Sequence, residues 1–211
     1  RYENGIVEMD RTGFRQGTDG VVSASLRYDM ETQALSGAMD MENLDVPALL
    51  ALVNQKEDRI EGRITSHATL GGTRENPAGT LTGTITEGKV AGYEVTDVAL
   101  DVALSAHVLT IRNLMGRQEG GSFSASGTID FNGAIHVDAE AKDIALGIFT
   151  GLAGVDEPVM GAASMTAQVR GSAGRPEADL KLTVRSGGMR GASFDEMVGE
   201  ARVTGSVIDL K

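Results

Sequence analysis

The sequence predicts an all-β chain of a dozen or more strands, interrupted by two short helices and built from repeats of ~100 residues. Three observations carry this. Apolar residues alternate with polar ones over most of the length, glycine punctuates that alternation, and the pattern recurs at a fixed offset. Glycine accounts for 28 of 211 residues, nearly twice the ~7% of average proteins.

The alternation is plain in several segments. Val98, Leu100, Val102, Leu104 and Ala106 are apolar, while the residues between them are small or acidic. Phe123 to Phe131 repeats the pattern, with Ile129 and Phe131 on the apolar side. So do Ile135-His136-Val137 to Ala141, Met165 to Val169, and Leu180-Lys181-Leu182-Thr183-Val184. Period two belongs to a strand with one apolar and one wet face. The wet positions are rich in Thr and Ser, which suit a solvated pleated surface. Gly71-Gly72, Gly120-Gly121 and Gly187-Gly188 mark breaks, and such runs recur every 8 to 12 residues.

Two segments leave this rhythm. Val46, Leu49, Leu50 and Val53 have helical spacing, Asp45 is placed to cap the helix, and Pro47 falls in its first turn, where proline is tolerated. This predicts a helix over 45–53. Asp143 to Leu152 is a shorter version at the equivalent place.

The repeat ties these elements together. Gly62, Gly72 and Pro77 align with Gly161, Gly171 and Pro176, each pair 99 residues apart. Leu81 to Ile85 lies over Leu180 to Val184, and Leu104 over Val203. Ser23 to Asp29 matches Ser124 to Asp130 at an offset of 101. The chain reads as a single elongated fragment, residues 1–211, with approximate units 1–71 (partial), 72–170 and 171–211 (partial). Stacked repeats share a continuous apolar core and give elongated structures.

Composition excludes several classes. With no cysteine there is no disulfide framework, thiolate metal site or Cys nucleophile. A formal charge of -11 speaks against a nucleic-acid binder, whose affinity comes from cations neutralising phosphates. No run of 18 apolar residues is present to span a bilayer as a helix. The chain begins at Arg1, and we expect it to be a piece of something longer. His67, His107 and His136 lie in unrelated strands, so no metal site is expected. Asp138 and Glu140, like Asp195, Glu196 and Glu200, read as solvated faces. No nucleophile elbow, phosphate loop or dinucleotide fingerprint occurs, and titratable groups are spread rather than convergent, so no enzyme and no cofactor are expected.

The repeat unit is similar to that of the bacterial TamB family and the wider AsmA-like group. The similarity rests on Gly72 to Pro77, Leu81 to Ile85, Lys89 to Val95, Val98 to Ile111, Ser122 to Phe131, Asp143 to Leu152 and Gly161, followed by a second set from Gly171 to Lys211 and an earlier partial set from Val21 to Leu70. The resemblance implies a long sheet curled into a half-pipe, or taco-like groove, with apolar side chains inside. It implies a place in the periplasm of a diderm bacterium, as part of an inner-membrane-anchored bridge that moves phospholipid toward the outer membrane. An outer-membrane barrel partner would engage parts of the parent protein outside this chain.

On that reading the groove is lined by Val98, Leu100, Val102, Leu104, Phe123, Ile129, Phe131, Ile135, Val137, Met165, Val169, Leu180, Leu182, Val184 and Val203. It would hold phospholipid acyl chains, or detergent in their place, along roughly 55–60 Å for a dozen strands. The alternative is a structural β-repeat spacer that scaffolds outer-membrane protein or autotransporter assembly without lipid cargo. It would have a dry, closed core. A surface β-solenoid ranks last, because its coils run 20–30 residues rather than ~100. Open terminal strands also predict edge-strand or end-to-end self-association.

Overall fold

The computed structural model describes residues 1–52, 59–152, 159–172, 175–189, 191–204 and 207–210. Among these, fourteen strands and two short helices follow one another: β1 (Tyr2–Glu3), β2 (Ile6–Gln16), β3 (Gly20–Asp29), β4 (Leu35–Asp45), α1 (Val46–Leu52), β5 (Ile60–Gly72), β6 (Pro77–Val90), β7 (Tyr93–Ser105), β8 (Val108–Gln118), β9 (Gly121–Asp130), β10 (Ile135–Ala145), α2 (Leu146–Leu152), β11 (Val159–Ser172), β12 (Arg175–Met189), β13 (Ala192–Thr204) and β14 (Val207–Leu210).

Each strand pairs antiparallel with the next, and the sheet order is the chain order from β1 to β14. The result is an elongated, curled meander that does not close into a barrel. Fourteen strands at ~4.8 Å spacing make it about 60 Å across the hydrogen-bonding direction. No helix among the described residues is long and apolar enough to cross a membrane.

The sheet buries little. Its accessible surface is 13564 Å², against about 9,300 Å² expected of a compact protein of this mass. Among the described residues, two apolar clusters hold seven of the twelve buried hydrophobic side chains. Met41, Leu44, Ile64 and Ala68 form one, with Val46 and Leu49 of α1 packed on it. Ala141, Ile144 and Ile148 of α2 form the other, with Val90, Tyr93, Phe123, Phe149 and Met165 around them. Both helices join an even-numbered strand to the next odd one, so both sit at the same rim of the meander.

The rim devices are duplicated along the chain. Asn43 and Asp143 both adopt left-handed backbone, φ 54° and 50°, a conformation these short polar residues tolerate best after glycine. Each sits in a bulge, where the register jumps from Met41 to Leu44 and from Ala141 to Ile144. The extra residue turns Leu44 and Ile144 to the apolar face, and each is only 2% exposed. The Asn43 N–H donates to Thr65 Oγ1 at 3.2 Å and the Asp143 N–H to Ser164 Oγ at 3.1 Å. Further on, the Asp45 N–H donates to Gln16 Oε1 at 2.9 Å and the Ala145 N–H to Gln118 Oε1 at 2.8 Å. The unit β2 to β7, with α1, is thus repeated as β8 to β13, with α2.

The expected N-cap is present: the Ala48 N–H donates to Asp45 Oδ2 at 3.2 Å. The second helix is shorter than its sequence pattern, because Asp143 to Ala145 are held in β10 by the bulge and by their bonds to Ser164 and Gln118. Val53, assigned to the first helix by spacing, lies outside the described residues.

Candidate functional site: a continuous apolar face

Strand registers show which residues share the apolar face. Val102 of β7 lies opposite Leu81 of β6 and Ile111 of β8. The row continues through Gly127, Val137, Val169, Ala178 and Val203 to β13. A parallel row runs from Gly79 through Leu104, Leu109 and Ile129 to Ile135. A third carries Leu100, Leu114, Ala125, Ala139, Ala167, Leu180 and Ala201. Val98 faces Ile85. Phe123, Ala141, Met165 and Leu182 form one more row, and Val184 lies opposite Ala163 and Met197.

The registers therefore place fourteen of the fifteen expected lining residues on one face. Phe131 is the exception. It follows β9 in the turn, where its N–H donates to the His107 carbonyl, and its side chain is 55% exposed. Alternation ends with the strand, so parity counted past Asp130 no longer fixes a face. The same rows bring in lining residues not expected individually, among them Leu81, Ile85, Leu109 and Ile111. The repeat carried a signal for the first two, since Leu81 and Ile85 align with Leu180 and Val184.

Most of the face is half-buried, although Val98 and Val184 are buried. The face is also chemically uniform. Val, Leu, Ile, Ala and Gly fill nearly every position, and hydroxyl and charged groups occupy the opposite one. Glycine sits beneath the few rings: a Cβ at Gly116 would strike the Phe123 ring, and one at Gly187 the Phe194 ring. Gly116 pairs with Phe123 and Gly187 with Phe194 across their ladders, so each ring lies over backbone instead of standing up from the sheet. α2 crosses one rim, with Gly147 against the Tyr93 ring and Gly151 against Ala91. Among the described residues, two buried polar groups interrupt the apolar surface: Ser66 Oγ and Gln118 Nε2 have no hydrogen-bond partner there.

The other face is polar and ladder-paired. Arg11, Asp40, His67, Thr82 and Asp101 line a cleft of about 730 Å³. Asp40 Oδ1 lies 2.6 Å from His67 Nδ1, and Arg112 reaches Asp101 at 3.4 Å. Lys181 pairs with Glu200 at 3.1 Å and Arg202 with Asp179 at 2.7 Å. The hydrogen bond from the Arg202 guanidinium holds the Asp179 carboxyl below its ordinary range. His107, His136, Asp138, Glu140, Asp195 and Glu196 are exposed. No group of three or more His, Asp or Glu residues suited to a metal occurs among the described residues.

The fold and this face define an open antiparallel meander with one continuous aliphatic surface. No family model matches the chain, and no curated protein and no solved structure is significantly similar to it.

Proposed function

We infer that the chain shields phospholipid acyl chains along its apolar face, as a periplasmic segment of a bridge from inner to outer membrane. The observation supporting this is the width and continuity of that face: registered aliphatic rows cross the sheet, half-exposed, and the helices among the described residues lie over one rim. An acyl chain needs no donor or acceptor, and each methylene removed from water contributes roughly 0.8 kcal/mol. A uniform wall binds such a chain without a fixed register, which suits movement along the sheet. The charged headgroup stays at the wet rim. The repeat's similarity to the TamB and AsmA-like group supports the same reading, including its setting and its lipid-export role. There is no catalytic step, and no metal or cofactor takes part.

Native mass spectrometry of protein purified without detergent tests this reading. The expected spectrum contains adducts of phospholipid mass, and Val102→Asp or Leu104→Arg removes them while circular dichroism stays unchanged. In the parent protein, the same substitutions should block lipid passage. A folded, persistently empty wild type that takes up no phospholipid from vesicles would return the chain to the spacer reading.

A further inference from the structure

Two cations on the polar face, Arg117 and Lys142, flank one serine. Arg117 of β8 lies opposite Ser122 of β9, and Ser122 lies opposite Lys142 of β10. β8 and β10 flank β9, so the two backbones are about 10 Å apart, within the combined reach of two long side chains. Neither cation has an ion-pair partner among the described residues, although acidic residues number 30 against 19 basic ones. Arg112, Lys181 and Arg202 of the same face each reach a carboxylate within 3.4 Å.

These residues line part of a cleft of about 450 Å³. The next row along the strands is Met115, Ser124 and Glu140, about 6.8 Å away. Asp97, in the bulge of β7 next to the Thr96–Arg117 pair, borders the same cleft. The cleft thus sets two cations and a hydroxyl along one row, and a carboxylate at the end of the next. The fold itself does not require this set. In the first unit the equivalent row is Arg15, Val21 and Glu42, and Gly13 stands where Met115 stands. Two cations beside one hydroxyl repel each other unless an anion lies between them.

We propose that this cleft binds a phosphate group carrying a primary ammonium on a two-carbon linker, the chemistry shared by free phosphoethanolamine and an ethanolamine phospholipid headgroup. The phosphate sits over Ser122 and offers three acceptor oxygens. The Arg117 fork donates to two of them, and the Lys142 ammonium and the Ser122 hydroxyl donate to the third. The linker runs along β9 past Ser124, and the ligand's ammonium donates to the Glu140 carboxylate. Met115 and the alkyl stems of Arg117 and Lys142 pack against the linker. Glu140 and Asp97 disfavour a phosphate that lacks the cation, which gives the site its selectivity. At a formal charge of -11 the surface offers no diffuse attraction to anions, so saturable uptake of phosphate must be local.

Amide NMR titration of the 211-residue protein with O-phosphoethanolamine tests the site. The amides of Arg117, Ser122, Glu140 and Lys142 should shift and saturate together, while those of Arg15, Val21 and Glu42 do not move. Arg117→Gln and Lys142→Gln should each weaken binding by about tenfold, since each removes charged hydrogen bonds to the phosphate. Arg112→Gln removes the same charge from the same face and should leave the affinity unchanged. Inorganic phosphate should bind more weakly than O-phosphoethanolamine, and Glu140→Gln should erase that difference. All four substituted positions are exposed, and circular dichroism confirms that each variant is folded. Short-chain phosphatidylethanolamine below its micelle concentration separates the two sources. Competition for the same amides assigns the site to a headgroup, and binding of the free compound alone assigns it to a soluble ligand; either supports the site. Absence of saturable shifts with O-phosphoethanolamine overturns the proposal. So does an equal loss with Arg112→Gln, which would mean diffuse attraction, or a preference for O-phosphoethanolamine that survives Glu140→Gln. O-phosphoethanolamine carries no acyl chain, so its titration is independent of what the apolar face holds.

Discussion

Leu44→Ala and Leu104→Ala delete the same atoms from two differently placed leucines, and the difference between them measures how open the apolar face is. Leu44 is 2% exposed and packs with Met41, Ile64 and Ala68 beneath α1. Its truncation leaves a hole that helix and sheet close only in part, and the cost is about 2–5 kcal/mol. Leu104 is half-buried, between Gly79 and Leu109 in its row. About half of the 1.5–3 kcal/mol for a fully buried Leu applies there, or about 1 kcal/mol. No cavity term is added, because solvent already reaches the site. Urea denaturation followed by circular dichroism reads both values. With a slope of about 2–3 kcal/mol per molar, Leu44→Ala lowers the midpoint by about 1 M or more and Leu104→Ala by about 0.4 M. Equal losses at an unchanged slope would mean that Leu104 sits in a closed, dry core, and the reasoning from an open face would fail.

Three further outcomes follow from particular contacts. Gly116→Val should cost about 1–3 kcal/mol, since its side chain would displace the Phe123 ring and press on Val98, and the same denaturation assay reads it. Gln118→Ala should cost about 1–3 kcal/mol, because it strands the Ala145 N–H beneath α2; exchange of that amide should accelerate. Asp179→Asn removes a carboxylate whose pKa is depressed in the folded state by Arg202. The stability it contributes is present above the ordinary aspartate range and disappears as pH falls through the lowered folded value. The small wild-type advantage at neutral pH should close at the acid end of a pH-denaturation series.

The fold was readable because a solvated sheet keeps strict period two. Val98 to Leu104 and Leu180 to Val184 announced both their conformation and their face. The helix over Val46 to Leu52 was readable from Asp45 and Pro47, which act locally. The bulges were not. Asn43 and Asp143 look like ordinary polar strand residues, and their left-handed backbone is held by hydrogen bonds to Thr65 and Ser164 on the neighbouring strand, 22 and 21 residues further along the chain. Gln16 and Gln118 were silent for the same reason: each acts on a backbone N–H 27 to 29 residues downstream. Phe131 kept its parity in the sequence but lost its face in the turn. The lining was thus legible wherever a strand ran uninterrupted, and was obscured where long-range hydrogen bonds reset the register.

The most direct test of the acyl-chain account is photocrosslinking with a phospholipid carrying a diazirine in its tail, followed by mapping of the adducts. The account predicts adducts on Val102, Leu104, Val137, Val169 and their row neighbours, spread over several strands and absent from the Thr- and Ser-rich face. Adducts confined to that polar face, or none at all in a folded protein mixed with the probe, would contradict it.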